Sequence, residues 1–232
     1  MPRPLTEKTL ELNVMAELAY LGRMAGYSPY FIGFSQLDEM IHGGDSFFSA
    51  GARIGFFQFK RGYHRSKFFT FYINGNKPHF NQHQMLTKTN SVCGACRYVF
   101  PLIGTNQDVY SHRGNLLAWT AFLPPGKFDP LSPPNEAHRI RIYNQGRWRR
   151  YSDEKEGEWR NIFGQLPSDA QSIDETLRNR PSGEPLGARS VFNSLELPVV
   201  ETVLARIADQ HEQGIEQIFE QRSSFCMVFN EN

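Results

Sequence analysis

Residues 43–60, GGDSFFSAGARIGFFQFK, decide the fold that we expect for this chain. Two glycines and an aspartate precede an apolar run, which ends in the triplet Gln58-Phe59-Lys60. Apolar segments bounded by glycines are typical of paired strands, so the pattern predicts a β-hairpin. Side chains alternate faces along a strand. We therefore expect Gln58 and Lys60 on one face, with the hairpin bringing Asp45 close to them.

These residues resemble the Gln-x-Lys variant of the PD-(D/E)xK nuclease superfamily, which is found in Mrr-like restriction enzymes and in nucleases of bacterial defence systems. The family pattern is a helix that carries a glutamate, then Gly-x-Asp, a short turn, and hydrophobic-Gln-x-Lys. Here these elements are Glu17 in a helical stretch, Gly43-Gly44-Asp45, and Gln58-Phe59-Lys60. The resemblance covers roughly the first hundred residues. It implies an α/β fold of the restriction-endonuclease type, with a mixed central sheet flanked by helices.

The resemblance also implies a catalytic set of Glu17, Asp45, Gln58 and Lys60. Hydrolysis of a phosphodiester needs an activated water and a group that stabilises charge on the phosphate. The implied metal ligands, for Mg²⁺ or Mn²⁺, are Asp45, the Gln58 side-chain oxygen and Glu17, while Lys60 orients the water or neutralises the phosphate. Asp38 and Glu39 are alternatives for the second carboxylate.

Each part of this pattern also has an ordinary structural interpretation. Gly-Gly-Asp is a common turn sequence, since glycine tolerates positive φ and aspartate bonds to its own backbone. Gln-Phe-Lys is an unremarkable end for an apolar strand. The order and spacing of the three elements, and not any one of them, favour the nuclease interpretation.

Two basic segments are candidates for binding nucleic acid, because phosphate contacts come mainly from arginine, lysine and similar polar groups. The first follows Lys60 directly, and the second lies in a predicted hairpin near residue 147. Their candidate residues are Arg61, His64, Arg65, Lys67, Arg147, Arg149 and Arg150. The alternative for the second segment is that its arginines pair with the acidic residues at 153–158.

The rest of the chain predicts further elements of a mixed α/β fold. Apolar residues at helical spacing predict a helix over 5–24 with Thr6 as its N-cap. Strands are expected at 68–73, 96–103, 116–123 and 138–143, and short helices at 80–89 and 106–115. Gln82, His83 and Gln84 in the first of these helices are further candidates to face the site. Strands that alternate with helices favour an α/β sheet.

We expect one domain over 1–165, a loop or linker over 166–195, and a C-terminal helix and tail over 196–232 packed on the same domain. The linker is predicted from its Ser, Asp, Pro and Gly content, and the helix from its apolar stripe.

Composition sets limits on the classes of protein that the chain can belong to. The 40% apolar content is enough for a sizeable core, and the formal net charge of +1 restricts any basic surface to local patches. No apolar run approaches a membrane span, and the N-terminus lacks the apolar core of a signal peptide. Three cysteines fit a reducing compartment, and Cys93 and Cys96 are expected to be structural thiols. A cytoplasmic protein is therefore predicted.

Two functions follow as hypotheses. The first is a metal-dependent DNA endonuclease that acts as an anti-phage defence effector, alone, as a homo-oligomer or with a companion defence protein. The second is a nuclease-like module that has lost catalysis and binds nucleic acid or a partner protein in a defence complex. A third alternative is an unrelated α/β protein with no site at Asp45.

Overall fold

The computed structural model describes residues 5–35, 39, 43–65, 67–74, 82–131, 136–161, 195, 197–199, 201–203 and 205–206. Within these ranges the chain is a mixed α/β protein with two β-sheets. Asp38, the predicted linker up to residue 194 and the segment beyond residue 206 lie outside the described residues.

The helices of the described chain are α1 (Glu7–Met24), α2 (Gln82–Cys93) and α3 (Asn106–Ser111), with 3₁₀ helices at Leu116–Trp119 and Pro125–Phe128. The strands are β1 (Tyr30–Gly33), β2 (Ser46–Ala50), β3 (Arg53–Phe59), β4 (Tyr63–Arg65), β5 (Phe68–Asn74), β6 (Cys96–Pro101), β7 (Thr120–Leu123), β8 (Ala137–Tyr143), β9 (Arg147–Arg150) and β10 (Glu156–Glu158). Thr6 caps α1 as predicted, because its side chain accepts a hydrogen bond from the backbone N–H of Thr9.

The first sheet contains the hairpin predicted from residues 43–60. Its strand order is β1-β2-β3-β6-β7. β2 and β3 pair antiparallel, with Ser46 opposite Phe57, whereas β3 and β6 run parallel. Parallel neighbours need a long connection, and here the chain between them contains the β4–β5 pair and α2. The sheet is therefore mixed.

The second sheet is antiparallel throughout and has the order β10-β9-β8-β5-β4. A single central sheet was the expectation, and in this respect it was incomplete. The sequence pattern locates β5 and β8 as strands but does not state which strand pairs with which. Their pairing, from Phe68 opposite Tyr143 to Asn74 opposite Ala137, joins distant parts of the chain into a separate sheet.

The two faces of the first sheet form two apolar cores. On one face, Phe57 and Phe59 pack with residues of α1 such as Leu10 and Val14. On the other, Phe56 belongs to a core shared with the second sheet. Full burial of a phenylalanine side chain contributes about 1.5–3 kcal/mol, so alternating phenylalanines along β3 hold α1 and the second sheet on opposite sides.

One strand boundary differs from the prediction for a physical reason. Residues 116–119 form a 3₁₀ helix, and only Thr120–Leu123 are a strand, because periodicity alone does not separate a buried helical turn from a buried strand. The thiols of Cys93 and Cys96, at the end of α2 and the start of β6, are both buried and free, with 3.9 Å between their sulfurs.

The described residues of the C-terminal segment pack on the same body. Leu195 and Leu197 are buried in the core that contains α1. Arg53 Nη1 donates a hydrogen bond to the Leu197 carbonyl at 2.6 Å, and Arg97 Nη2 donates to the Leu195 carbonyl at 3.1 Å.

Candidate functional site

Gly43 and Gly44 set the path of the chain into β2. Gly43 has a φ of 73°, and a Cβ on it would lie 2.5 Å from the backbone nitrogen of Leu86 in α2. Both the backbone angle and this close approach require glycine. The N–H of Asp45 then donates to the Phe57 carbonyl at 2.7 Å, which fixes Asp45 beside the end of β3.

The Asp45 carboxylate is held by the last residues of β3. Its Oδ2 atom accepts one hydrogen bond from Gln58 Nε2 and one from the backbone N–H of Phe59, both at 2.6 Å. Among the described residues, the hydrogen bonds to this carboxylate end on Oδ2, and Oδ1 receives none from them. The hairpin therefore orients Asp45 through one oxygen and leaves the other available to a ligand.

A chain of side-chain hydrogen bonds links Lys60 to Asp45 through two glutamines. Lys60 Nζ donates to Gln82 Oε1 at 2.6 Å, and Gln82 Nε2 donates in turn to Gln58 Oε1. Gln82 begins α2, and α2 packs beside the turn at Gly43. The structure thus brings Asp45, Gln58 and Lys60 together and adds Gln82, the first of the three candidates in this helix.

The two ends of this chain fix the orientation of both amides. An ammonium group can only donate hydrogen bonds, and an ionised carboxylate can only accept them. Each glutamine therefore turns its oxygen toward Lys60 and its nitrogen toward Asp45. Gln58 presents nitrogen, not oxygen, to Asp45, so its expected role as an oxygen ligand to a metal at Asp45 would require both amides to turn over.

The protonation of Asp45 is finely balanced. Burial raises the pKa of Asp45 to about 7, although the Lys60 ammonium, the Phe59 N–H and the Gln58 amide each lower it. Burial is the larger effect because few groups replace the water that an ionised carboxylate would keep. A cation bound at this carboxylate would favour its ionised form.

Further carboxylates lie around Lys60. Glu7, in the first turn of α1, accepts a hydrogen bond from the backbone N–H of Arg61 at 3.0 Å. The pKa of Glu39 is raised by burial and by the charge of Glu11, and is lowered by Lys60. Glu39 was an alternative for the second carboxylate. Glu7 was not predicted as a candidate, because acidic residues are favoured in the first turn of any helix, where they stabilise the N-terminus.

Glu17 does not lie with this group, which contradicts its predicted place in the catalytic and metal-binding set. Its Oε2 accepts a hydrogen bond from the backbone N–H of Leu117 at 3.0 Å, at the start of the 3₁₀ helix. Burial raises the pKa of Glu17. Glu7 and Glu17 are ten residues apart on α1, which is about 15 Å along the helix axis.

The donor set around Asp45 suits a hard divalent cation. Mg²⁺ takes oxygen ligands, commonly one or two carboxylates with several waters. Asp45 Oδ1 supplies one such oxygen, and the Glu7 and Glu39 carboxylates are nearby candidates for another. Within the described residues, no three or more His, Cys, Asp or Glu side chains form a complete metal-binding group.

The first basic segment continues from the site along β4. The Arg61 guanidinium lies 4.8 Å from the centroid of the Tyr63 ring, and the His64 ring packs on Phe69. His64, Arg65 and Lys67 are exposed.

The second basic segment divides into exposed and buried arginines. Arg147 and Arg149 form ion pairs with Glu156 at 3.7 Å and with Glu154 at 2.9 Å. Exposed pairs of this kind contribute little to stability, about 0–1 kcal/mol.

Arg150 is fully buried, so its assignment to a nucleic-acid surface was wrong. Its guanidinium binds the carboxylate of Asp153 and the backbone carbonyls of Phe128 and Pro130. The strand alternation that exposes Arg147 and Arg149 points Arg150 inward.

Of the two other candidates in α2, His83 belongs to a different group of side chains. His83 is buried, and its ring nitrogens bond to the Tyr98 hydroxyl at 3.0 Å and to Asp129 at 2.8 Å. Burial lowers the pKa of His83. Gln84 is exposed.

Comparisons with protein families, with curated proteins and with solved structures found no match. In the described part of the chain, no helix has the length and apolar character to cross a bilayer.

Proposed function

We propose that this chain is a metal-dependent phosphodiesterase that cuts DNA, of the PD-(D/E)xK type with the Gln-x-Lys variant, and that it serves as an effector of antiviral defence. The observation that carries the proposal is the convergence of Asp45, Gln58 and Lys60 at the end of β3. The resemblance implies a helix that packs on the sheet after this strand. α2 follows β3 in the chain, supplies Gln82 to the cluster and leads into β6, which is parallel to β3.

The residues of the cluster have separable roles in this proposal. Asp45, with water and Glu7 or Glu39, would hold Mg²⁺ or Mn²⁺, which supplies Lewis acidity toward the phosphate and acidifies bound water. Lys60 places its ammonium group near Asp45 and neutralises charge that develops on the phosphate. Gln82 positions the Lys60 ammonium, and Gln58 orients the Asp45 carboxylate. The exposed Arg65 and Lys67 hold the flanking backbone.

One observation favours a second function, the binding of nucleic acid without cleavage. Gln58 turns its nitrogen toward Asp45, and glutamine has no charge where other members of the superfamily have an acidic residue. The site then has fewer negative oxygens for a cation, as expected for a nuclease-like module that has lost catalysis.

A cleavage assay with a matched pair of lysine variants separates the two functions. The purified full chain is incubated with labelled duplex and single-stranded DNA in Mg²⁺, in Mn²⁺ and in EDTA. Lys60→Met keeps the buried aliphatic stem and removes the charge, whereas Lys88→Ala removes an exposed lysine of α2.

We expect cutting by the wild type only with a divalent cation, a loss of at least about 100-fold in Lys60→Met, and no change in Lys88→Ala. Cutting by Lys60→Met at the wild-type rate would contradict the proposal. DNA binding by the wild type without cutting in either metal would favour the binding module.

A further inference from the structure

The second sheet has one buried and one outward face. Its inward side chains, among them Phe71, Ile140 and Trp148, form the core against the first sheet. The outward side chains are mainly tyrosines and arginines. We call them the aromatic–arginine face, and its main members are Tyr63, Phe68, Tyr72, Arg139, Arg141 and Tyr151.

Strand register places these residues in cross-strand rows. Tyr72 of β5 is opposite Arg139 of β8. Thr70 of β5 lies between Tyr63 of β4 and Arg141 of β8, and each of these is its partner on a neighbouring strand. Neighbouring strands are about 4.8 Å apart, so the rows form a nearly continuous surface that begins at β4, three residues after Lys60.

The aromatic rings and guanidinium groups of this face are stacked and oriented. The Arg139 and Arg141 guanidinium carbons lie 4.5 and 4.1 Å from the centroid of the Tyr151 ring. Arg141 also lies 4.3 Å from the centroid of Phe68. The rings of Tyr63 and Tyr72 are 6.3 Å apart, and these residues are 47% and 44% exposed. Large aromatic side chains exposed together mark an interaction surface.

The charge of this face indicates which class of molecule it can bind. Within the described residues, no carboxylate forms an ion pair with Arg139 or Arg141, while the acidic partners of Arg147 and Arg149 belong to the opposite end of the sheet, near β10. The part of the face nearest β4 therefore combines positive charge with half-exposed tyrosine rings. A polyanion with flat, unpaired rings has the complementary chemistry.

We propose that the aromatic–arginine face binds single-stranded nucleic acid, with bases stacked on Tyr63 and Tyr72 and phosphates held by Arg139 and neighbouring arginines. Unpaired bases stack on aromatic side chains of sheets and grooves, and such stacking tolerates any sequence. A duplex keeps its bases stacked on one another and offers this face only phosphates. The binding is independent of the proposed function, because it needs no reaction at Asp45.

The test measures binding of a fluorescent oligo(dT) 20-mer and of a duplex of equal length to the full chain, by anisotropy in EDTA. Tyr72→Ala and Tyr63→Ala remove the exposed rings, and Tyr72→Phe keeps the ring without its hydroxyl. Tyr110→Ala is the matched control, because Tyr110 is 60% exposed and carries Arg113 4.4 Å above its ring, but lies on α3.

We expect each ring deletion to weaken oligo(dT) binding about 5- to 150-fold, with Tyr72→Phe and Tyr110→Ala close to the wild type. Arg139→Gln should weaken binding and flatten its salt dependence by about 0.7 in the slope of log K against log salt. These results, with duplex binding unaffected by the tyrosine variants, would support the proposal even if the protein cuts nothing.

Three results would overturn it. The first is equal affinity for duplex and oligo(dT) in the wild type with no effect of the ring deletions, which would indicate phosphate contacts alone. The second is no measurable binding of oligo(dT) by the wild type. The third is a dimer, detected by light scattering, that Tyr72→Ala converts to a monomer, because the face would then be covered by a second copy of the chain.

Discussion

Replacing Asp45 by asparagine should stabilise the protein, and by an amount that depends on pH. The pKa of Asp45 is about 7 in the folded chain and has an ordinary value of 3.8. The folded state therefore holds this proton more tightly than the unfolded state does. The free energy of unfolding is then reduced progressively as the pH rises from about 4 to about 7, and it stays reduced above that pH. Asparagine does not ionise, and its oxygen can still accept from Phe59 and Gln58.

The structure gives the magnitude of this effect. Above pH 5 the Asp45 carboxyl is ionised in the unfolded chain, whereas in the folded chain it stays mainly protonated until the pH approaches 7. Two pH units at 1.36 kcal/mol each amount to about 2.7 kcal/mol. The advantage of Asp45→Asn over the wild type should grow by this amount between pH 5 and pH 8. For a chain of this length that is a difference of about 5–11 °C in Tm.

Urea unfolding of wild type and variant at pH 5, 6, 7 and 8, in EDTA and followed by tryptophan fluorescence, measures the effect. The difference between the two proteins is the quantity compared, because it cancels the titration of all other groups. Glu136→Gln, which removes an exposed carboxylate at the start of β8, should show no such trend. A difference between wild type and Asp45→Asn that is the same at pH 5 and pH 8 would show that folding does not raise the pKa of Asp45.

Three further variants probe the surroundings of the site and the ion pair between the buried Arg150 and Asp153. Glu17→Gln should leave DNA cleavage unchanged, and a loss comparable to that of a catalytic residue would return Glu17 to the site. Gln82→Ala should lower the cleavage rate about 10- to 100-fold by releasing Lys60, whereas metal affinity, measured by calorimetry, stays near that of the wild type; an unchanged rate would remove Gln82 from the mechanism. Asp153→Asn should destabilise the protein by about 1.5–3 kcal/mol at pH 7 because the buried Arg150 loses its charged partner, which urea unfolding at that pH would detect. The pKa of Asp153 is lowered to about 2. Its contribution to the free energy of unfolding is therefore complete above pH 3.8 and is lost as the pH falls toward 2. A larger effect of Asp153→Asn at pH 2 than at pH 7 would contradict this explanation.

The hairpin and its polar cluster could be predicted because the signals are local. Alternation along residues 43–60 is a property of one strand pair, and the positive φ of Gly43 belongs to the turn itself. The positions of Asp45, Gln58 and Lys60 follow from that pairing. Gln82 could be predicted only as one of three candidates in its helix, because packing decides which side of a short helix faces the sheet.

The remaining features depend on contacts between distant segments. Glu17 lies beside the apolar stripe of α1, as a residue that reaches a site would, but its partner is a backbone N–H of residue 117, which no local pattern reveals. The second sheet arises from the pairing of β5 with β8. That pairing also decides which arginines are exposed, so the burial of Arg150 could not be read from the density of basic residues in its hairpin.

The catalytic role of Asp45 is tested by comparing DNA cleavage by the wild type and by Asp45→Asn in Mg²⁺ and in Mn²⁺. Glu136→Gln is purified in parallel as a control for contaminating nucleases. Asp45 is the carboxylate that the end of β3 holds beside Lys60. We expect metal-dependent cutting by the wild type and by Glu136→Gln, and a rate at least about 100-fold lower for Asp45→Asn. Circular dichroism should show that the variant is folded. Equal cutting by wild type and Asp45→Asn would contradict the assignment of this cluster as the catalytic site.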